Sequence, residues 1–338
     1  MKKLFLSAAA LLLCLSAFSQ TAELSVIGRL EGNHCESEPG IVTPGLNWGN
    51  SSLYTLFEGS FSEKFSFTLL NYWLNSTPKD LYSATLHSDM GNWLQNCYIT
   101  FSDKGFSASA GKMCMFFGGF ENDDYDFDVD YDLASSQWNG MQVYQWGLSV
   151  GYTLPSEMST FSLQAVTSPF GERPFSSGLY SFGFEWRGDL GFYHSIWSAG
   201  LIGSEKGKFD KTFTLGNKFD IGEKLAVGAD YTFYNGYCIH SLINGLEEEQ
   251  IEGNSYNGHT ILGTIDVNPG EKWEILAKGG YEKSSLADAG WYAGGVLRFY
   301  PLNDSRALRI HAAGAYRSLT GYSFTIGATL NLSIFSTK

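Results

Sequence analysis

Apolar and polar residues alternate along most of the chain after about residue 20. The clearest case is at the end, over residues 321–334. Its apolar positions are Tyr322, Phe324, Ile326, Ala328, Leu330, Leu332 and Ile334, and its small or polar positions are Ser323, Thr325, Gly327, Thr329, Asn331 and Ser333. A period of two residues is that of a β-strand with one apolar and one polar face. This segment is therefore predicted to be a strand with one face towards an apolar environment and the other towards water.

Segments of this kind recur along the chain, and no helical period of useful length interrupts them. The predicted strands are 22–32, 51–62, 64–75, 92–102, 105–114, 140–153, 159–168, 178–187, 190–203, 208–221, 224–235, 258–268, 271–283, 290–300, 306–317 and 321–334. The third and the ninth alternate least clearly. Since a strand rises about 3.3 Å per residue, such segments when tilted cover a hydrocarbon layer of roughly 25 Å.

The joins between these segments alternate in length. Short joins such as Asn268-Pro269-Gly270 carry the residues that turns require. The long joins are 33–50, 76–91, 115–139, 169–177 and 236–257. Short periplasmic turns alternating with long external loops are typical of membrane barrels, and a secreted β-sandwich has no reason to show them. The pattern predicts one all-β domain, 20–338, folded as a transmembrane antiparallel up-and-down β-barrel of about 16 strands.

The N-terminus has the features of an export signal. Lys2 and Lys3 precede an apolar run from Leu4 to Leu15, and Ala17-Phe18-Ser19 fits a small-x-small cleavage site. The alternative, a membrane anchor, needs roughly 20 apolar residues. Large residues precede Cys14, which argues against a lipoprotein. We therefore predict a signal peptide at 1–19 and a mature chain in the cell outer membrane.

The formal charge is strongly negative. The whole chain carries 22 basic and 35 acidic residues, a net charge of −13, and removal of Lys2 and Lys3 makes it −15. This balance argues against nucleic-acid binding, and it weakens any case for binding anionic lipid surfaces. An aromatic content of 16% suits the aromatic girdles of a membrane barrel.

Charged residues within the strands are predicted to face the lumen, because a charge at mid-membrane costs roughly 2–4 kcal/mol on the lipid face. Arg29 in the first strand, Arg298 in the fourteenth and Arg309 and Arg317 in the fifteenth all oppose apolar residues. Because the first strand closes the barrel against the last, these four arginines are expected on one side of the wall. Ordinary lumen polarity, balanced by acids such as Glu31 and Glu274, is the alternative.

The third long join is the most acidic run of the chain. It contains Asp123, Asp124, Asp126, Asp128, Asp130 and Asp132. We predict that it is the third external loop and that it folds inward to form a pore constriction opposite the lumen arginines. A transverse field of that kind discriminates ions. A solvated external loop without a pore role stays open, as does a calcium site, although the run lacks the glycine and closing glutamate of an EF-hand.

Cysteine, histidine and serine give little support to other chemistry. The mature chain keeps Cys35, Cys97, Cys114 and Cys238. Cys97 and Cys114 are interpreted as small apolar fillers, and a Cys35–Cys238 bond between external loops stays open. The spacing of His34-Cys35 and Cys238-x-His240 fits no zinc pattern. No Gly-x-Ser-x-Gly motif is present, so neither an enzyme nor a cofactor is predicted.

One stretch carries a family resemblance. Trp93-Leu94-Gln95-Asn96-Cys97-Tyr98-Ile99, followed by Phe106 to Gly118 with Gly111-Lys112 and Phe117-Gly118, is similar to a hairpin of the phosphate-selective porin O and P family. Weaker echoes are Asn139-Gly140 and Leu297-Arg298-Phe299-Tyr300-Pro301. The resemblance implies a sixteen-stranded, trimeric outer-membrane pore, and it maps Lys112 onto the constriction.

The predicted function is a passive diffusion channel for small polar solutes or ions, with outer-membrane lipid and a homotrimer as partners. The acidic loop, the negative charge and the lack of a lysine ladder depart from the family, so phosphate selectivity is not carried over. The alternative is a binding or adhesion barrel with a plugged lumen.

Overall fold

The structure is a computed structural model. It describes residues 20–35, 45–47, 51–75, 94–124, 133–135, 137–138, 141–171, 174–236, 257–285, 289–303, 305–318 and 321–337. Within these residues, no helix is long and apolar enough to span a membrane.

Strands make up almost all of the described chain. They are β1 (Thr21–Cys35), β2 (Gly45–Asn47), β3 (Ser52–Ser62), β4 (Phe65–Asn75), β5 (Leu94–Asp103), β6 (Phe106–Cys114), β7 (Tyr144–Thr153), β8 (Ser159–Thr167), β9 (Tyr180–Asp189), β10 (Tyr193–Glu205), β11 (Lys208–Ile221), β12 (Leu225–Asn235), β13 (Asn257–Gly270), β14 (Trp273–Ser284), β15 (Gly290–Phe299), β16 (Leu308–Arg317) and β17 (Gly321–Thr337). A four-residue helix, α1 (Phe120–Asp123), follows β6.

Sixteen of these strands form a closed cylinder. From β3 onward each long strand pairs antiparallel with the next, and β1 pairs with β3 on one side and with β17 on the other. The closing register runs from Ala22 opposite Thr337 to Cys35 opposite Ser323. The three-residue β2 pairs with the end of β1 and is not one of the sixteen barrel strands. The predicted all-β, antiparallel up-and-down barrel of 16 strands is confirmed.

Each predicted strand corresponds to one strand of the cylinder, including the two with the poorest alternation. In β4 the register shifts between Leu70 and Asn71, and such an irregularity breaks a period of two. In β10 the small residues Ser195 and Ala199 share a face with Trp197 and Leu201, which blurs the apolar face.

The two faces of the wall have opposite character. Phe182 and Phe184 of β9 point outward and are exposed, whereas Ser181 and Glu185 point inward and are buried. In β16, exposed Ile310 is followed by His311, which is only 1% exposed. Apolar residues outside and polar residues inside are the arrangement expected of a barrel surrounded by lipid.

Tight turns join the strands at the end of the cylinder that carries the chain termini. Between β5 and β6, Lys104 and Gly105 both have positive φ, at 50° and 82°, as a type I′ hairpin turn requires. Another two-residue turn, Glu271 and Lys272, joins β13 to β14 without positive φ angles. At the opposite end, β6 and β7 are separated by the whole stretch from Met115 to Val143.

The alternation in β17 allows a direct test with two adjacent positions. Leu330 faces outward near the middle of the strand, and its neighbour Asn331 faces inward. We expect Leu330→Arg to lower the free energy of unfolding by about 2–4 kcal/mol, because it places a charge in hydrocarbon. Asn331→Arg should change it by far less. Equilibrium urea unfolding in phospholipid vesicles measures both, and equal losses would contradict the assigned faces.

Candidate pore constriction

The segment from Met115 to Val143, called here the β6–β7 segment, is held to the wall as soon as it leaves β6. The Phe116 N–H donates to Gln164 Oε1 at 2.9 Å, and Gln164 Nε2 donates to the Cys114 carbonyl at 2.9 Å. Gln164, on the inward face of β8, is only 5% exposed. One buried amide therefore satisfies two backbone groups and turns the chain towards β8.

Farther along, the same segment lies against three more strands. Ser198 Oγ of β10 donates to the Gly118 carbonyl at 2.8 Å, and the Glu121 N–H donates to Asp230 Oδ2 of β12 at 2.7 Å. Between them, a Cβ added to Gly216 of β11 would lie 3.0 Å from Gly119 Cα. Only glycine permits so close an approach of two backbones, so α1 begins directly on the wall.

Apolar side chains anchor the described part of the segment in two clusters, one at its ends and one at Leu133. Met115, Phe117, Met141 and Val143 are buried together with wall residues Val166, Ile202 and Tyr234. Leu133 is completely buried in a second cluster with Leu262, Tyr292, Val296 and Ala313 of β13, β15 and β16. Burying a leucine side chain is worth about 1.5–3 kcal/mol, so Leu133 is a strong anchor.

Polar contacts reinforce the Leu133 anchor. Glu121 Oε1 accepts from the Ser135 N–H at 2.7 Å and lies 3.5 Å from Lys278 Nζ of β14. Arg317 of β16 donates to the Ala134 carbonyl, and its guanidinium lies 4.5 Å from the centre of the Tyr292 ring. Glu121 thus joins two parts of the segment to each other and to the wall.

Two of the predicted aspartates form ion pairs with bases that the sequence analysis did not single out. Asp123 Oδ1 lies 2.7 Å from a guanidinium nitrogen of Arg187, and Asp124 Oδ2 lies 2.7 Å from Lys218 Nζ. Lys218 also lies 5.6 Å from the centre of the Phe120 ring. A recess of about 290 Å³ opens between these groups. The sequence could have indicated that Lys218 faces the lumen, because Lys218 alternates in phase with the inward-facing Thr212 and Thr214.

The four predicted arginines all have the inward phase of their strands. Arg29 is buried and pairs with Glu31, and its guanidinium lies 3.2 Å from His311 Nε2. Gly327 makes room for this contact, because a Cβ there would lie 2.7 Å from the His311 ring. Because Gly327 of β17, which lies between β1 and β16, has no side chain, His311 can reach the Arg29–Glu31 pair.

Arg298 lies beside a second acidic group. Its guanidinium is 3.7 Å from Glu274 Oε2 of β14, and it is only 5% exposed. Glu274 also pairs with Arg306, which lies in the join between β15 and β16, and this hydrogen bond raises the pKa of Arg306. Arg309 is half-buried on the inward face of β16, opposite Thr329.

Lys112 lies near the end of β6, where it is only 5% exposed. It pairs with Cys97 and Trp146, and it lies in the same strand phase as Cys114. Cys114 Sγ donates to Asn122 Oδ1 of α1 at 3.5 Å and packs against the cluster that contains Met115. Gly111, with φ at 140°, departs from regular strand geometry, so the alternation that holds up to Ala110 does not extend past it. The phase of Cys114 directs Lys112 towards the β6–β7 segment, and its role in the constriction stays a prediction.

Several predicted features lie outside the described residues. They are Asp126, Asp128, Asp130, Asp132, Cys238 and His240. Cys97 and Cys114 form no disulfide. In the part of the chain that is described, no three His, Cys, Asp or Glu side chains are grouped to hold a metal ion.

Acidic residues outnumber basic ones on the inward face of the described strands. The acids are Glu23, Glu31, Glu58, Glu185, Asp189, Glu205, Asp210, Asp220, Asp230, Asp266, Glu274 and Glu282, and the bases are Arg29, Lys112, Arg187, Lys208, Lys218, Lys278, Arg298, Arg309 and Arg317. The lumen wall is therefore net acidic, in line with the charge of the whole chain.

Comparison with solved structures identifies the fold. A refined porin structure superimposes with a TM-score of 0.64 and 11% sequence identity, covering 92% of this chain and 100% of that chain. An anion-selective porin from Comamonas acidovorans gives a TM-score of 0.63 at 8% identity, with 92% of this chain and 100% of that chain covered. The chain has the porin fold.

A third neighbour is a loop-deletion mutant of OmpT, an outer membrane protein of Vibrio cholerae. It has a TM-score of 0.62 and 12% identity, and 93% of this chain and 100% of that chain are covered. No family model and no curated protein matches the sequence. The general porin fold that the resemblance implies is thus supported, while membership of the phosphate-selective O and P family stays a prediction.

Glu121 offers a test of how the segment is held in this porin fold. Glu121→Ala leaves the Ser135 N–H without its acceptor, and an unsatisfied buried donor costs about 1–3 kcal/mol. We expect amide hydrogen exchange at Ser135 to accelerate by about tenfold or more. Glu121→Gln keeps the acceptor and should retain most of the protection. Glu63→Ala, in the turn between β3 and β4, is the control, and equal exchange in all variants would contradict this anchoring role.

Proposed function

We propose that this protein is an outer-membrane porin, a passive diffusion channel for small polar solutes or ions, in which the β6–β7 segment folds into the lumen and narrows it. The supporting observation is that the segment contacts both sides of the barrel. It leaves the wall at β6, and its Leu133 is buried against β15 and β16.

The ring order explains why these contacts imply a crossing of the lumen. Following the hydrogen-bonded ring of sixteen strands, seven strands separate β7 from β15 in one direction and five separate β6 from β16 in the other. A segment running over the external rim would not reach the inward side chains Gln164, Ser198, Asp230 and Lys278 on the way. A barrel of this size leaves an aqueous interior, so a crossing segment acts as a constriction.

Charge determines which solutes the constriction favours. Asp123 and Asp124 form direct ion pairs with Arg187 and Lys218, at 2.7 Å each, so acid and base stand side by side where the segment meets the wall. The rest of the lumen wall is net acidic, and the segment continues into Asp126, Asp128, Asp130 and Asp132. We therefore propose a mild preference for cations, and we do not extend phosphate selectivity to this chain.

Membrane location and assembly belong to the same proposal. The outward face is covered with exposed apolar and aromatic side chains, and the predicted signal peptide at 1–19 supplies export. One of the similar structures is described as a trimer form of OmpT from Vibrio cholerae. We propose a homotrimer in the outer membrane.

A binding or adhesion barrel is the second candidate, because the buried anchors of the β6–β7 segment fill part of the lumen. Purified protein in a planar lipid bilayer distinguishes the two functions. A stable open current at constant voltage supports the channel, whereas a barrel that inserts without conducting supports the plugged alternative.

We expect the reversal potential in a potassium chloride gradient to show more cation than anion permeation. Replacing Asp124, Asp126 and Asp128 together with asparagine removes negative charge from the constriction, so the preference should be lost. Asp103→Asn is the control, since Asp103 lies in the turn region at the end of β5, beside Lys64. Anion preference of the unmodified protein, or indifference to the triple change, would overturn the acidic-constriction proposal.

A further inference from the structure

The outward face of the barrel contains a hollow between β7 and β11. Its volume is about 690 Å³, and its walls are apolar, formed by Leu148, Leu163, Phe182 and Leu201. These side chains are 44–61% exposed, so they stand out from the wall rather than cover it. Such a hollow has the shape and the surface to receive a hydrocarbon chain.

Two alanines create the depth of this hollow. Ala165 pairs with Leu148 and Phe182, and Ala199 pairs with Phe184 and with Phe213. Each alanine therefore lies directly between larger outward side chains on the neighbouring strands. The outward surface is therefore recessed at these two alanines, where larger side chains would have filled the hollow.

A lysine lies at one end of the hollow. Lys211 of β11 pairs with Leu201 and Asn235, so it shares their outward face, and it lines the hollow beside Leu201. Its outward neighbours along the strand, Phe209 and Phe213, are 41% and 43% exposed. Among the described residues, no carboxylate forms an ion pair with Lys211.

The level of Lys211 suits a headgroup contact. It is the fourth residue of β11, counted from the end of the cylinder opposite the chain termini. At about 3.3 Å per residue it lies roughly 10 Å along the strand from that end, from where a lysine side chain reaches the interface.

Away from the strand ends, the charged side chains that the described strands place on the outward face are all basic. Leaving aside terminal residues, the lysines on the outward face of the described strands are Lys211 and Lys283, both towards the same end, and the acids of the described strands point inward. The net charge of −13 therefore does not describe the surface that meets lipid. The expectation that net charge weakens binding to anionic lipid does not apply to this face.

We propose that the hollow and Lys211 form a binding site for a lipid with a phosphorylated headgroup. One acyl chain occupies the hollow along Ala165 and Ala199, and the headgroup phosphate contacts Lys211. The site uses the outward face only and is independent of the channel function.

Native mass spectrometry of the detergent-purified protein tests the proposal, with dioleoyl phosphatidic acid and dioleoyl phosphatidylcholine as probes. We expect phosphatidic acid to bind about fivefold more tightly, the factor that corresponds to ~1 kcal/mol for one lysine near an anionic lipid surface. Lys211→Gln should remove this difference. Lys283→Gln, which changes an outward lysine away from the hollow, should preserve it.

A second variant tests the acyl-chain site. Ala199→Leu fills the hollow and should weaken binding of both lipids, and circular dichroism and heat stability check that the barrel still forms.

Inorganic phosphate at millimolar concentration should not displace the lipid. Displacement by phosphate, equal binding of both lipids to the unmodified protein, or an unchanged difference in Lys211→Gln would overturn the proposal. So would a change in oligomeric state without a change in lipid binding in Ala199→Leu, which would assign this face to contacts between copies.

Discussion

Closure of the hydrogen-bonded ring between β1 and β17 is the constraint on which the rest of the structure depends. A strand edge exposed to hydrocarbon would leave a row of backbone donors and acceptors without partners, each at a cost of several kcal/mol. The two strands pair from Ala22–Thr337 to Cys35–Ser323, with one register shift, and Thr337 Oγ1 also accepts from the Ala22 N–H at 3.0 Å. The first and the last strand of the barrel thus close it at this one seam.

Once the ring is closed, each strand side chain faces either the lumen or the lipid. Acidic and basic residues are distributed differently between these two faces. Acids such as Glu31, Glu185 and Asp230 are on the inward face, where arginine, lysine and backbone N–H groups surround them. Lysines such as Lys211 are on the outward face. A chain that is strongly acidic overall thus presents an acidic lumen and a basic rim to lipid, because closure separates two surfaces that composition averages together.

The sequence predicts the strands well because their signal is local. Period-two alternation identified all sixteen strands and the inward phase of Arg29, Arg298, Arg309 and Arg317. It did not identify Arg187 and Lys218 as partners of Asp123 and Asp124, since those ion pairs depend on where a long segment meets a distant wall. Lys112 was assigned to the constriction by resemblance, and counting residues from Ala110 does not fix its face, because Gly111 interrupts the regular strand geometry. Local pattern determines the face of a residue, and long-range packing determines its partner.

Three inward glycines of the wall lie beside the β6–β7 segment. A Cβ at Gly183 of β9 would lie 3.0 Å from Phe116 Cβ, and one at Gly216 of β11 would lie 3.0 Å from Gly119 Cα. One at Gly294 of β15 would lie 2.9 Å from Leu133 Cδ1 and 2.3 Å from the Gly314 carbonyl oxygen of β16, so both the segment and the next strand require this glycine. A glycine inside a strand weakens it, so its presence there indicates close approach by other atoms. The three positions follow the segment from its entry to its far anchor. The wall strands thus make room for the segment at these three positions. Inward glycines alone do not trace its path, since Gly327 makes room for His311 and Gly280 for Tyr292.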